Sequence, residues 1–375
     1  MRRRPTAPLE EIKETRNAHV HRDAHGTLQL NQYHILHELG RGAFGTVHLG
    51  RDTLLHLNVA IKVFSKNKLR RVVKQAHFNK IGMRGYGRGG FGGPEDDAPN
   101  PIDLVRGEIA VFKKMAHPNV VRVFEVLDDP GDDHLYMVFE LCERGSLMQV
   151  DMGRSVTPFS EAEAHNWFTQ MLLGIEYIHE HEIAHRDIKP DNLLVSRDGR
   201  LKIADFGVSE IFIKGHDRLV KSAGSPAFFS PELTRPYHGD VSSIAADMWA
   251  MGVTLYCMLK GRLPFEGESI LDLYEAIQTK EPDYSDLSEG VVDLLKQLLI
   301  KDPARRIHMD DVRVHPWVDL GPTGDAPPLP TKEENLIGLV TVITDDDMRL
   351  AVRNIKTLLV VMKAVHRLKK ALHSR

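Results

Sequence analysis

The sequence predicts an α+β fold in which a small, sheet-rich part precedes a mainly helical one. Between Tyr33 and Phe64, short apolar segments (Tyr33-His-Ile-Leu, Thr46-Val-His-Leu, Val59-Ala-Ile-Lys-Val-Phe) are punctuated by glycine, the pattern of a small antiparallel sheet. Beyond Ser160 apolar residues recur three and four positions apart, as on one face of a helix. Of 375 residues, 27% are charged and 42% hydrophobic, so the chain has the balance of a globular protein and the length for two or three folding units or one bilobed enzyme.

Residues 1–30 are polar, rich in Arg and His and weakly patterned, and are expected to form a mobile leader. The first lobe is placed at 31–143. Within it, seven of the twelve positions from Gly82 to Gly93 are glycine, followed by Pro94, Glu95, Asp96, Asp97, Pro99 and Pro101, so an insertion falls at about 82–101. Val105, Ile109, Phe112 and Met115 then predict a helix that His117-Pro118 ends, because the residue before proline is pushed out of the helical region. Strands are expected at Val120–Val126 and Leu135–Leu141.

The second lobe, 144–318, carries helical patterns at Ala162–His179, Ala246–Leu259, Ile270–Thr279 and Val291–Leu299, with short strands near Leu193 and Leu201. Residues 319–344 read as a linker. Pro322, Pro327, Pro328 and Pro330 leave little apolar pattern there, so it is expected to connect rather than pack.

Lys plus Arg number 49 against 52 Asp plus Glu, a formal balance of −3, and no global basic field argues for a nucleic-acid partner. Two cysteines, Cys142 and Cys257, exclude a disulfide-stapled scaffold and a zinc site of cysteines alone. The N-terminal residues lack the apolar stretch of a signal peptide, and no apolar run of about 18 residues predicts a membrane span. A soluble protein of the cytoplasm, with the nucleus also open to it, is the expectation.

Gly40-Arg-Gly-Ala-Phe-Gly-Thr-Val47 lies between two predicted strands. Its glycines Gly40, Gly42 and Gly45 let backbone amides approach phosphate oxygens, although the same run would also make a plain hairpin. Fifteen residues after Val47 stands Lys62, and Glu108 lies on the helix after the insertion. Together they supply a cation for the α- and β-phosphates and an acid to fix it; a solvated strand lysine is the bland alternative.

His185-Arg-Asp-Ile-Lys-Pro-Asp-Asn192 follows, and eighteen residues past Asp187 comes Asp205-Phe-Gly207. These residue types meet the needs of phosphoryl transfer. Asp187 can orient and accept the proton of a substrate hydroxyl, Lys189 can neutralise the γ-phosphate, and Asn192 and Asp205 can hold Mg²⁺.

The set resembles the eukaryotic protein kinases over Tyr33 to Trp317, which implies a bilobed kinase fold with ATP and Mg²⁺ as cofactors. The resemblance makes 31–143 an N-lobe with its hinge and 144–318 a C-lobe. It implies ATP contacts from Leu39, Gly40, Gly42, Gly45, Val47, Ala60, Lys62, Glu108 and Asp205. The backbone of Glu140 and Cys142 would pair with adenine, with Phe139 as gatekeeper. Ser230-Pro-Glu232 would close the activation segment with Glu232 tied to Arg306, and Asp247 would brace the catalytic loop. Lys189 resembles the Ser/Thr-specific form of that loop, so the substrate hydroxyl is expected to be aliphatic. Two departures stand out: Ser230 replaces the usual alanine, and Ser225 the usual threonine facing the phosphoacceptor.

Within the kinases, the chain is most similar to the calcium/calmodulin-dependent protein kinase kinases and their fungal relatives. The insertion before Glu108, His117-Pro-Asn-Val-Val-Arg-Val-Phe-Glu-Val-Leu-Asp-Asp-Pro and Ser225-Pro-Ala-Phe-Phe-Ser-Pro-Glu carry the similarity. It implies downstream protein kinases as substrates, phosphorylated on an activation-loop threonine. Asp191 departs from the family's usual small residue and is of the kind that selects arginine before a phosphoacceptor. Ser222 is the best-placed hydroxyl for regulatory phosphorylation, with Arg186 able to pair with its phosphate. The insertion itself reads as a docking loop for substrate kinases, a plain flexible loop or an Arg-Gly-Gly RNA-binding tract.

From Arg353 to Arg375 there are seven Lys or Arg and no acid. Ile355, Leu359, Met362 and Leu368 fall at relative positions 1, 5, 8 and 14 of one helix. Such a basic amphipathic helix fits the groove of Ca²⁺/calmodulin, a site on its own catalytic domain, or a membrane surface. Residues 345–375 are therefore expected to be an autoinhibitory and calmodulin-binding segment. The alternative is a constitutively active kinase whose tail docks on its catalytic domain and does not bind calmodulin. A catalytically silent scaffold would lack one of Lys62, Asp187, Asn192 or Asp205, and all are present.

Overall fold

The computed structural model describes residues 12–15, 17–22, 26–41, 45–67, 115–128, 131, 133–206, 209–211, 217–219, 224–235 and 241–336. Among them, the first lobe is one twisted sheet of strands β1 (Lys13–Thr15), β2 (Val20–Arg22), β3 (Leu28–Leu30), β4 (Tyr33–Arg41), β5 (Gly45–Asp52), β6 (Asn58–Ser65), β7 (Val123–Asp128) and β8 (His134–Glu140). Their order is β1-β7-β8-β6-β5-β4-β3-β2, antiparallel except where β1 joins β7 in parallel. Leu30, Tyr33, Ile35, Val59, Ile61 and Leu127 bury one face of this sheet, as the alternating pattern requires. The insertion at 82–101 and most of the predicted helix before His117 lie outside the described residues.

The leader reading needs correction. Lys13–Thr15, Val20–Arg22 and Leu28–Leu30 are three strands of the sheet, and Ala18 and Leu30 belong to its core. Glu125 on β7 holds them. Its carboxylate is 1% exposed and accepts from Tyr33 Oη at 2.7 Å, Gln32 Nε2 at 2.8 Å and Thr15 Oγ1, with Lys13 Nζ at 2.9 Å. Burial works to raise the Glu125 pKa, but the bonds from Thr15, Lys13 and Tyr33 outweigh it and hold it below the usual value.

The second lobe is helical. Helix α1 (Glu161–Glu180) starts at a reciprocal cap between Ser160 and Glu163; α2 (Ser243–Lys260) is capped by Ser242 and ends at Gly261. Helices α3 (Ile270–Thr279) and α4 (Glu289–Leu298) follow, then the short α5 (Met309–Arg313), α6 (Pro316–Asp319) and α7 (Lys332–Asn335). Helix α2 is buried nearly throughout and is the centre of the lobe, with Trp249, Met251, Val253 and Leu255 inside. Short pairs, β9 (Ile183–Ala184) with β12 (Glu210–Ile211) and β10 (Leu193–Val195) with β11 (Leu201–Ile203), carry the loops that face the sheet lobe.

The linker reading is corrected in part. Leu329 and Leu336 pack on the C-lobe core and Asn335 is buried, so these residues of the stretch are part of the fold. A Thr331/Glu334 cap starts α7, and Lys332 pairs with Glu180 and Asp310, each at 2.8 Å. No helix among the described residues is long and apolar enough to cross a membrane.

Arg306 joins the end of the activation segment to α2. Its guanidinium forks onto Glu232 at 2.8 and 2.9 Å and also donates to the carbonyls of Ala245 at 2.6 Å and Ile300 at 3.0 Å. Both side chains are buried, so removing one leaves the other charged and without its partner. Glu232→Ala is therefore expected to destabilise the protein by about 3–5 kcal/mol, read as a lower midpoint in urea denaturation.

Candidate active site

The catalytic loop, 185–192, runs between β9 and β10 and is fixed from below by one side chain of α2. Asp247 is 1% exposed and accepts from the backbone N–H groups of His185 and Arg186, each at 2.8 Å, and from His179 Nε2 at 2.9 Å. Arg186 has φ 70°, a left-handed backbone that an L residue adopts at a cost, and the bond from its N–H helps hold it there. The fully buried His185 accepts the Asp187 N–H at Nδ1, 3.3 Å, so Nε2 carries the proton that reaches Ala204 O at 3.0 Å. That contact ties the loop to the residue before Asp205.

Asp187 sits at the centre. Its Oδ2 accepts from Asn192 Nδ2 at 2.9 Å and faces Lys189 Nζ at 3.2 Å, while Oδ1 accepts the Ser225 N–H at 2.8 Å. Lys189 Nζ also donates to Ser225 Oγ at 2.6 Å. The structure thus brings together Asp187, Lys189, Asn192 and Ser225. An oriented carboxylate beside a cation can receive a hydroxyl proton while the cation meets an incoming anion.

Lys62 projects from β6 across the cleft to Asp205, with Nζ and Oδ1 2.9 Å apart. The acid expected to fix Lys62, Glu108, lies outside the described residues; Asp205, which meets Lys62, comes from the other lobe. Asp205 is in the left-handed region at φ 61° and its side chain is 51% exposed toward the cleft. It lies one residue from Ala204, whose N–H donates to Asn192 O at 2.9 Å, so Asp205 and Asn192 are neighbours.

The fit to Mg²⁺ follows from these donors. Hard cations take oxygen ligands, and Mg²⁺ is commonly held by one or two carboxylates together with substrate phosphates. Asp205 offers a carboxylate; Asn192, with Nδ2 committed to Asp187, offers its amide oxygen. No cluster of three or more His, Cys, Asp or Glu able to cage a metal occurs among the described residues.

Register places the other expected nucleotide contacts. Gly40 pairs with Val47 across β4 and β5, Val47 with Lys62, and Ala60 with Phe139. A Cβ at Gly45 would meet Val63 O at 2.0 Å, so only glycine permits this approach of β5 to β6. Leu39 is half exposed on β4, and Gly42 lies outside the described residues. At the hinge, Glu140 N–H donates to Arg122 O at 2.9 Å and Cys142 O accepts from Gly145 N–H at 3.0 Å. The Glu140 carboxylate is held by Lys202 Nζ at 2.8 Å and the Arg122 N–H at 2.7 Å. Burial pushes the Cys142 thiol up to about 12. Ser222 and the tail residues Ile355, Leu359, Met362 and Leu368 lie outside the described residues.

Sequence reasoning missed Gly224 and His179. Gly224 has φ +111°, and a Cβ there would stand 2.4 Å from Arg186 O and 3.1 Å from Asp187 Oδ1. The Gly-Ser-Pro run marks a turn, which was the available signal. Gly224→Ala is expected to lower kcat about tenfold or more through a displaced Asp187, with nucleotide affinity little changed; steady-state kinetics and nucleotide titration separate the two.

The chain matches the protein kinase domain family over residues 94–318. It is 40% identical over 387 aligned residues to the calcium/calmodulin-dependent protein kinase kinase cmkC of Emericella nidulans, covering 98% of this chain and 73% of that one. It is 38% identical to the calcium/calmodulin-dependent protein kinase kinase of Caenorhabditis elegans, covering 96% of this chain and 64% of that one. The serine/threonine-protein kinase ssp1 of Schizosaccharomyces pombe is also 38% identical, over 90% of this chain and 50% of the relative. With a buried carboxylate bracing the His185-Arg-Asp loop, Asp205 facing Lys62 across the cleft and these relatives, the chain belongs to the eukaryotic protein kinases, as an ATP- and Mg²⁺-dependent serine/threonine kinase of the calcium/calmodulin-dependent protein kinase kinase type.

Proposed function

We propose that the protein transfers the γ-phosphate of ATP to activation-loop threonines of downstream kinases, of the AMP-activated and calmodulin-dependent types, and that Ca²⁺/calmodulin relieves inhibition by its tail. The observation that carries the chemistry is the bridge from Lys189 to both Asp187 and Ser225. Asp187 orients the substrate hydroxyl and takes its proton; Lys189 neutralises charge on the transferred group. Lys62 holds the α- and β-phosphates, with Gly40 on β4 and Gly45 on β5 leaving room for them. Glu140 and Cys142 meet adenine through backbone groups. Asn192 and Asp205 would hold Mg²⁺, which supplies charge neutralisation of the phosphates when bound.

The substrate class is supported by the relatives named as kinase kinases, and the calmodulin reading by the seven cations and four apolar anchors of 353–375. A second reading has its own observation. The firm seat of residues 331–336 on the C-lobe favours a tail that docks on the catalytic domain without calmodulin. Phosphorylation of a catalytically dead AMP-activated-type kinase, assayed with and without Ca²⁺/calmodulin, decides between them.

Asp187→Asn is expected to lower kcat by about 10²–10⁴-fold with ATP affinity retained. Asp205→Asn, which removes charge from the metal site, raises the KM for Mg-ATP as well. Nucleotide titration of both variants checks the division of roles. Replacing Leu359 and Met362 by Asp puts charge into an apolar contact and is expected to abolish calmodulin binding, measured by calorimetry on the full chain.

A further inference from the structure

Asn335 lies beyond the last large helix of the C-lobe, yet its side chain reaches three places. Nδ2 donates to Leu173 O at 3.0 Å and Glu176 Oε2 at 2.7 Å, both on α1, and Oδ1 lies 2.9 Å from Nε2 of the buried His117. The His117 Nδ1 faces the Asn119 backbone N–H at 3.0 Å. Facing a donor, Nδ1 must be the bare nitrogen, so the ring proton sits on Nε2 and points to Asn335. Tyr177 stacks on the ring at 4.7 Å and limits its rotation, while its hydroxyl accepts the Ala116 N–H at 3.0 Å.

From Asn119 the contacts run to β11. Asn119 Nδ2 donates to Leu201 O at 2.9 Å, Asn119 O accepts the Ile203 N–H at 2.8 Å, and the Val121 N–H donates to Ile203 O at 2.9 Å. Gln170 takes the remaining Leu201 N–H at 2.9 Å. Both ends of β11 are thus held by the 117–121 segment and α1, and Asp205 stands two residues past Ile203.

We propose that Asn335 is a positioning residue for Asp205, acting by holding the His117 ring in place and through it the 117–121 segment and β11. Without an acceptor at 335 the Nε2 proton has no partner in a buried site. A ring displaced toward another acceptor gives up the Asn119 N–H at Nδ1, and the 117–121 segment loses that anchor. The segment that leads into the tail is in this way coupled to the cleft. The inference rests on the metal-ligand role assigned to Asp205 and not on calmodulin binding.

A double-mutant cycle in the full-length kinase tests it, read as the KM for Mg-ATP at fixed free Mg²⁺ and the KM for protein substrate. Asn335→Leu is expected to raise the KM for Mg-ATP about three- to tenfold and leave that for protein substrate unchanged. In His117→Asn the amide oxygen takes the place of Nδ1 and accepts from Asn119 whatever stands at 335, so Asn335→Leu has no further effect there. The same fold-change in both backgrounds overturns the proposal. So does an unchanged KM for Mg-ATP with a lowered melting temperature, which makes Asn335 a fastening of the segment alone. If Asn335→Leu does not fold, Asn335→Ser, too short to reach His117, runs through the same cycle with the same expectations.

Discussion

The catalytic apparatus depends on the Asp247 carboxylate, a buried charge whose two oxygens meet the backbone of His185 and Arg186 and the ring of His179. In a low-dielectric interior such charge-assisted bonds are strong and their geometry is narrow. They determine where the loop turns, and so where Asp187 points. Asp247 lies in the first turns of α2, and Arg306 grips the carbonyl of Ala245 one half-turn earlier. The catalytic loop and the end of the activation segment therefore take their positions from the same end of one central helix. The seat of Glu232 and the direction of Asp187 are therefore not independent.

The sheet lobe is organised by a second buried carboxylate. Glu125 collects donors from β1, from Gln32 and from Tyr33, which ties the N-terminal strands to β7. Between the lobes, the Lys62–Asp205 pair is half exposed on the Asp205 side. Such a pair contributes little stability. Its value is geometric, since it aligns β6 with the end of β11 while leaving the Asp205 carboxylate half exposed to the cleft.

Legibility followed chemistry. Asp187, Lys189, Asn192 and Asp205 were readable because phosphoryl transfer accepts few residue types at those spacings, and the long helices because 3.6-residue periodicity extends over many turns. The strands at 13–15, 20–22 and 28–30 were not, since three-residue strands show no period and the first of them is held by Glu125, a residue whose charge suggests the surface. The Asn335 contacts were hidden for a similar reason: four prolines in the preceding stretch suggested a linker, and the partners lie more than 150 residues away in sequence. Gly224 was hidden because its need is a left-handed backbone beside Arg186, a property of the folded loop.

The hinge cysteine has a practical side. Cys142 is buried beside Glu140, its thiol is pushed up to about 12 mainly by burial, and the buried Cys257 is pushed up as well. A thiol reacts as its thiolate, so at neutral pH both are almost wholly in the unreactive form. An electrophile that reached Cys142 would find a sulfur that attacks slowly. The same inertness makes the chain a convenient host for spectroscopic probes. A cysteine engineered on an exposed surface could be alkylated selectively without first replacing the two native ones.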